Sequence, residues 1–309
     1  MPIKFSTMTV TEHFKSGFVN IIGRPNVGKS TLMNALVGEN MSIVTHKPQT
    51  TRHRIFGILS SDDFQIVFSD TPGFVREPAY KMHEAMNDFI AQSFEDADVM
   101  LFVSVPGELF KAEDLLIKRL QEAECPKILL INKTDLFDES QVFAQEKLMR
   151  ELAPFNYVFR ISALKERGFG YLLDALKEQL PVGPPYFPTD QLTDRTERFF
   201  VGEIIREKIL LNYREEIPYA AEVNVDGFKD ATTKTGEAIA RISATIYIAR
   251  ETQKMILLGK EGSAIKKLGT DARIAIEKFL EKKVHLELTV KVRDNWRDDD
   301  KSLKYFGYK

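Results

Sequence analysis

The chain has 309 residues, more than one hydrophobic core usually organises, so two domains are the default expectation. With 43% hydrophobic and 28% charged residues and a formal net charge of -2, its composition is that of a soluble globular protein and excludes the disordered classes. The longest apolar runs, VMLFVSV and KILLIN, fall far short of the ~18 residues of a spanning helix, and the N-terminus carries no apolar signal core, so a cytoplasmic protein is expected.

In chain order, FVNIIG, HRIFGIL, FQIVFSD, VMLFVSV, KILLINK and YVFRIS read as short strands. Helical patterns fall between most of them, at 29–37, 81–95, 112–123 and 168–179. That alternation predicts an α/β domain with a mainly parallel sheet covered by helices on both faces. The run LPVGPPYFPTDQLTD follows, and its prolines at 181, 184, 185 and 188 suit neither a helix interior nor a central strand. Beyond it the order becomes helix (197–212), strand (219–228), strand (241–250), two short helices (262–281) and strand (283–293). The expected organisation is a first domain over 1–180, a proline-rich linker over 181–198 and an α+β domain with a C-terminal tail over 199–309. The single cysteine, Cys125, cannot form an internal disulfide, and the five histidines lack metal-ligand spacing.

The segment GRPNVGKS, from Gly23 through Arg24, Pro25, Asn26, Val27, Gly28 and Lys29 to Ser30, follows a strand and opens a helix. This is the context a phosphate-binding loop requires. Gly23 and Gly28 let the backbone wrap an anion, Lys29 reaches the β- and γ-phosphates, and Ser30 offers its hydroxyl to Mg²⁺. DTPG, comprising Asp70, Thr71, Pro72 and Gly73, brings a carboxylate to the same sheet edge, where Asp70 suits Mg²⁺ through a bound water and the Gly73 amide suits the γ-phosphate. NKTD, comprising Asn132, Lys133, Thr134 and Asp135, ends a further strand. The Asp135 carboxylate accepts from the N1–H and 2-amino group of guanine, donors that adenine lacks, so it selects guanine. Asn132 ties this loop to the phosphate loop, and Lys133 lies against the base. SAL, comprising Ser162, Ala163 and Leu164, supplies a backbone N–H to the guanine carbonyl. Each tetrapeptide alone also reads as a plain capped turn; four in order, each at the carboxyl end of its own strand, favour a nucleotide site.

In the second half, GKEG (Gly259, Lys260, Glu261, Gly262) fits the GxxG loop by which KH domains clamp a single-stranded nucleic-acid backbone. From Lys254 to Arg293 there are ten Lys or Arg against five Asp or Glu, on a chain that is acidic overall. Lys260, Lys266 and Lys267 lie in or just after the loop, while Ile256, Leu257 and Ile265 are candidates for an apolar groove. The plainer reading is a helix-entry turn with solvated lysines, and Glu261 places a negative charge where phosphate should approach.

GRPNVGKS, PQTTRHR, DTPGF, NKTD and ISAL together resemble the five nucleotide motifs of the translation-factor-like GTPases. The chain from about residue 17 onward, with PQTTRHRIFG and the tail VKVRDNWRDDDKSLKYFGY, is similar to the Era-like GTPases. This resemblance implies a P-loop GTPase domain followed by a type II KH domain. It also implies binding of GTP and GDP and recognition of small-subunit (16S) ribosomal RNA near its 3′ end during 30S assembly. The implied cation ligands for Mg²⁺ are Ser30, Thr51 and Asp70, with Thr50 the alternative in the first switch loop. Asn26 matches the position at which related GTPases hold K⁺, so Asn26, Lys29, Thr51 and Gly73 are the expected catalytic set. Where signalling GTPases carry a water-orienting glutamine the chain has Phe74, which neither donates nor accepts, so slow intrinsic turnover is expected. The resemblance further implies a monomer with peripheral contact at the inner face of the membrane, although the sequence shows no hydrophobic anchor or long basic tract. Two rival readings use the same residues: a GTPase assisting an RNA-modifying enzyme, and an RNA-binding protein whose nucleotide site is only structural. Residues 1–16 fall outside the resemblance and carry no assigned role.

Overall fold

The computed structural model describes residues 13–45, 47, 49–232 and 236–308; Pro48 of the PQTT run and the first twelve residues lie outside them. Six strands, β1 (Lys15–Ile22), β2 (Ile55–Ser60), β3 (Phe64–Asp70), β4 (Val99–Ser104), β5 (Lys127–Ile131) and β6 (Tyr157–Arg160), form one sheet in the order β2-β3-β1-β4-β5-β6. Only β2 runs antiparallel to its neighbour. Every residue of β3, β4 and β5 is buried. That is why 66–68, 99–103 and 128–131 read as continuous apolar runs rather than as alternating ones, with Gln65, Ser69, Asp70, Ser104 and Lys127 as the buried polar residues of these strands.

The helices of this half are α1 (Lys29–Val37), α2 (Lys81–Glu95), α3 (Leu115–Glu122), α4 (Glu139–Leu152) and α5 (Phe169–Gln179). α3 starts later than its periodicity suggests, at Asp114, whose N-cap position follows the turn 111–114. The start of α4 is written locally. Asp138 accepts from the Gln141 amide at 2.9 Å, and Gln141 accepts from the Asp138 amide at 3.1 Å, a reciprocal capping box.

The proline-rich segment is fastened to this sheet. Pro184 O accepts from Ser16 Oγ at 2.6 Å, Phe187 O accepts from Gln65 Nε2 at 2.8 Å, and Ile58 N donates to Leu192 O at 2.8 Å. Ser16 and Gln65 are side-chain donors on β1 and β3, while the Ile58 amide belongs to the β2 edge, whose donors a bare edge strand would leave to solvent.

The C-terminal half contains α6 (Glu197–Asn212), α7 (Ile217–Ala220), β7 (Glu222–Thr232), β8 (Ala238–Ile248), α8 (Glu251–Leu258), α9 (Ser263–Leu280), β9 (Lys283–Val292) and α10 (Asp300–Tyr305). Its sheet order is β7-β8-β9, with β7 antiparallel and β9 parallel to β8. Three expectations are corrected. Residues 217–220 are a helix started by Pro218 at an early position, not the beginning of a strand. β8 ends at Ile248, and the residues after it begin α8. GKEG separates α8 from the single 18-residue α9, so one helix precedes the loop rather than two following it.

By internal contacts the chain forms two compact units that do not follow chain order: 1–42, 54–71 and 90–194 make the first, and 43–53, 72–89 and 195–309 the second. The second core explains the inclusion of 72–89, because Met82, Ala85 and Met86 of α2 are buried in one cluster with Val201, Ile205 and Trp296.

Candidate functional site

In the first unit the end of β1 delivers the phosphate-loop sequence to the carboxyl edge of the sheet, with β3 and β4 on either side. Gly28 adopts φ 99°, and a Cβ there would stand 2.4 Å from Asn132 Nδ2, so conformation and space both demand glycine. The Lys29 ammonium is buried and donates to the carbonyls of Gly23 at 3.1 Å and Arg24 at 3.0 Å. Burial lowers its pKa to about 8, against the opposing pull of Asp70 and Glu108. Ser30 Oγ donates to Asp70 Oδ2 at 2.6 Å. A hydroxyl and a carboxylate so close together are an oxygen donor set that fits a hard divalent cation. Thr71 Oγ1 anchors the end of β3 by donating to Ile21 O at 2.9 Å.

Three expected motifs meet in this unit through direct hydrogen bonds. Asn132 Nδ2 donates to Val27 O at 2.8 Å, and Asn132 Oδ1 accepts from the Ala163 amide at 2.9 Å. Lys133 Nζ donates to the carbonyl of Asn26 at 2.7 Å, and Asn26 itself takes φ 63°. Thr134 Oγ1 donates to Ile161 O at 2.9 Å. Ser162 Oγ donates to Asp135 Oδ1 at 2.6 Å, the chief cause of a carboxyl pKa below its usual value. Asp135 and Leu164 remain exposed, Val27 is buried and Pro25 is exposed.

Thr50, Thr51, Pro72, Gly73 and Phe74 lie in the second unit. Thr50 Oγ1 donates to Lys47 O at 2.7 Å, and its carbonyl accepts from Arg206 Nη2. Thr51 is buried, whereas Gly73 and Phe74 are half-buried.

Arg24, part of the phosphate-loop segment, and Glu108, Arg52 and Trp296, which carry no expected role, hold these loops through their side chains. Arg24 pairs with Asp114 at 2.9 Å and lies 3.9 Å from the Phe110 ring centroid. Glu108, its pKa raised by burial, accepts from Ser104 Oγ and the Val105 amide, both at 2.9 Å. In the second unit Arg52 caps the end of α7, donating to the carbonyls of Pro218 at 3.0 Å and Ala221 at 2.7 Å. Trp296 Nε1 donates to the intervening Ala220 O at 2.9 Å. The charged run PQTTRHR was the available signal, but nothing in its spacing marks an arginine for burial.

At the second unit's loop, Gly259 and Gly262 take φ 71° and 74°, and Glu261 between them takes φ 52°. Lys260, Glu261, Lys266 and Lys267 are exposed, and Ile256 is exposed beside them. Ile265 is half-buried against the core. Leu257 is fully buried and is withdrawn as a groove residue; Met255, 64% exposed on the same helix, is the apolar side chain that faces outward. Helix periodicity explains the exchange, since α8 turns its third and seventh residues inward.

Among the described residues no helix is long and apolar enough to cross a membrane. Residues 18–133 match the family described as "50S ribosome-binding GTPase", and residues 216–297 match the KH domain. GTPase Era of Syntrophus aciditrophicus is 46% identical over 296 residues, covering 96% of this chain and 95% of the relative. A chloroplastic ERA-like GTPase of Oryza sativa is 42% identical, covering 95% of this chain and 69% of its own. Among solved structures, an Era variant of Aquifex aeolicus bound to GDP.AlF4- is 35% identical with a TM-score of 0.87, covering 96% of this chain and 99% of the other. Era in complex with MgGDPNP and nucleotides 1506–1542 of 16S ribosomal RNA is likewise 35% identical with the same coverage and a TM-score of 0.89. With a P-loop GTPase unit, a KH unit and near-full-length identity well above 40%, the chain belongs to the Era family of GTPases.

Proposed function

We propose that this chain is a GTP-driven switch that binds small-subunit (16S) ribosomal RNA near its 3′ end and assists assembly of the 30S subunit. The observation that carries the nucleotide half is the Asn132 side chain, which joins the phosphate loop at Val27 to the SAL segment at Ala163. A ligand with a base at Asp135 and phosphates at Lys29 would span elements already tied together, so little ordering is left for the binding step.

In this reading the amides from Gly23 to Ser30 wrap the phosphates, Lys29 carries charge to the β- and γ-oxygens, and Asp135 reads guanine. Ser30 and Asp70 would hold Mg²⁺, with Thr51 completing the set in the GTP state. Mg²⁺ bound there would supply charge neutralisation at the β- and γ-phosphates. Gly73 reports the γ-phosphate through its amide, and Phe74 leaves water unoriented, which keeps turnover slow. Asn26 would hold K⁺, which would supply the positive charge that an arginine finger supplies elsewhere. Domain boundaries at 1–180, 181–198 and 199–309 serve this division of labour. The chain acts on this reading as a cytoplasmic monomer, and contact with the inner face of the membrane rests on resemblance alone.

The RNA half is supported by the exposed GKEG loop with its flanking lysines, and by the complex described above for the Era that carries 16S nucleotides. Crosslinking RNA to the protein in cells and mapping the fragments tests it. Fragments should concentrate at the 3′ end of the small-subunit RNA and disappear with Gly262→Asp, which puts a side chain and a charge where the backbone must approach. Fragments mapping elsewhere, or unchanged by Gly262→Asp, would contradict the assignment.

A further inference from the structure

A cavity of about 290 Å³ lies in the second unit beside α6, β7 and the tail, and His53, Arg198, Phe199, Gly202 and Phe306 are among its walls. The nucleotide and RNA roles above use none of these residues. Three independent features mark it as built for a ligand.

Gly202 sits inside α6, where glycine costs roughly 0.5–1 kcal/mol relative to alanine. Its neighbours do not demand it, because a Cβ there would meet Val225 Cγ2 at 3.7 Å and Val223 O at 3.8 Å, ordinary contacts. What the missing side chain leaves is room in the cavity.

His53 is 6% exposed, and its ring centroid lies 4.5 Å from that of Tyr308 and 5.9 Å from that of Phe199. Among the described residues it has no hydrogen-bond partner. A buried imidazole without a partner on a cavity wall is a polar contact held ready for a ligand.

The charge of the cavity is sorted. Its two carboxylates are engaged elsewhere: Glu203 with Arg206 at 2.6 Å and Glu222 with Arg52 at 2.8 Å. Arg198 is exposed, and the Arg195 guanidinium lies 4.9 Å from the Phe199 ring centroid. Both flank the start of α6, whose N-cap Thr196 makes no side-chain cap bond. Arg198 and the helix start thus bring positive charge to the mouth beside the carboxylate of Glu197, the first residue of α6, while the interior offers aromatic faces.

A flat ring carrying one anionic group matches this arrangement, and the volume, at the low end of the roughly 300–1,000 Å³ of small-molecule pockets, suits a single nucleotide rather than a longer chain. We infer that the cavity binds a nucleoside monophosphate, with its base against Phe199 and Phe306, an edge on His53, and its phosphate at Arg198 and the α6 N-terminus.

The full-length protein, saturated with GDP, is titrated with GMP, AMP, CMP, UMP and inorganic phosphate by calorimetry. Fluorescence of Trp296, the only tryptophan and 5.3 Å from Phe306 by ring centroids, is followed in parallel. At least one monophosphate should bind saturably, with one site per chain, and about 10-fold or more tighter than phosphate. Gly202→Leu should fill the cavity and weaken that binding by about 10-fold or more, and Arg198→Ala by roughly 5-fold, with GDP affinity unchanged in both. Circular dichroism melts establish that each variant is folded, and the exposed Arg198 serves if Gly202→Leu is not. The inference is overturned if no monophosphate saturates, if phosphate binds as tightly, or if the folded variants bind like the parent.

Discussion

The Arg52 guanidinium donates to Glu222 Oε2 at 2.8 Å with neither side chain appreciably exposed, and Tyr308 OH donates to the same carboxylate oxygen at 2.8 Å. A residue of the first switch region, a strand end and the tail thus share one buried charge pair within the second unit. Removing the arginine leaves Glu222 buried with only a phenol as partner. Arg52→Ala should therefore destabilise the unit by about 3–5 kcal/mol. Arg52→Lys should recover only part, since an ammonium cannot fork to Glu222 and the α7 carbonyls together. Urea denaturation monitored at Trp296 measures both, and a loss under about 1 kcal/mol for Arg52→Ala would mean that the pair behaves like a surface ion pair.

Base choice rests on Asp135. Asp135→Asn exchanges one acceptor for a donor and should weaken GTP while favouring a base with a carbonyl at position 2, as in xanthosine triphosphate. Competition binding reads the exchange, and unchanged GTP affinity would remove Asp135 from base recognition.

Hydrolysis in potassium should exceed that in sodium at equal ionic strength, and Asn26→Ala should erase the difference. Equal rates for the parent protein in the two salts would take the ion out of the mechanism.

Lys29 gives nucleotide affinity a pH dependence with a defined sign. Burial sets its free-state pKa at about 8, and a polyphosphate favours the protonated ammonium. Affinity should be full below that value and fall as the pH rises through it, because binding then requires proton uptake. The alkaline decline in GDP affinity should vanish in Lys29→Ala, after allowance for the weaker binding of that variant. A parent profile flat from pH 7 to about 10 would contradict the assignment.

Much of this was legible in the sequence because it is written locally. The buried stretches 66–68, 99–103 and 128–131 are apolar throughout, and GRPNVGKS and NKTD stand at strand ends where the topology brings them together. The partition into units was not legible. Met82 and Met86 form an ordinary amphipathic stripe, and nothing in that stripe says that its partners are Val201 and Trp296, more than a hundred residues later. Arg52 is similar: a basic side chain reads as solvated until the carbonyls at the end of α7 are placed against it. Leu257 and Met255 were confused because the first residue of α8 sets which face turns inward, and the sequence pattern placed a strand end there.

The central claim is that the nucleotide state governs RNA binding, and the most direct measurement titrates a 16S 3′-end fragment against the protein loaded with a non-hydrolysable GTP analogue, with GDP, or with no nucleotide. Linkage requires reciprocity: whatever factor the analogue adds to RNA affinity, RNA must add to analogue affinity. The account predicts tighter RNA binding in the analogue state by about 5-fold or more, with the same factor in the reverse titration. Equal RNA affinity in all three states would contradict it and leave an RNA-binding protein whose nucleotide site is structural.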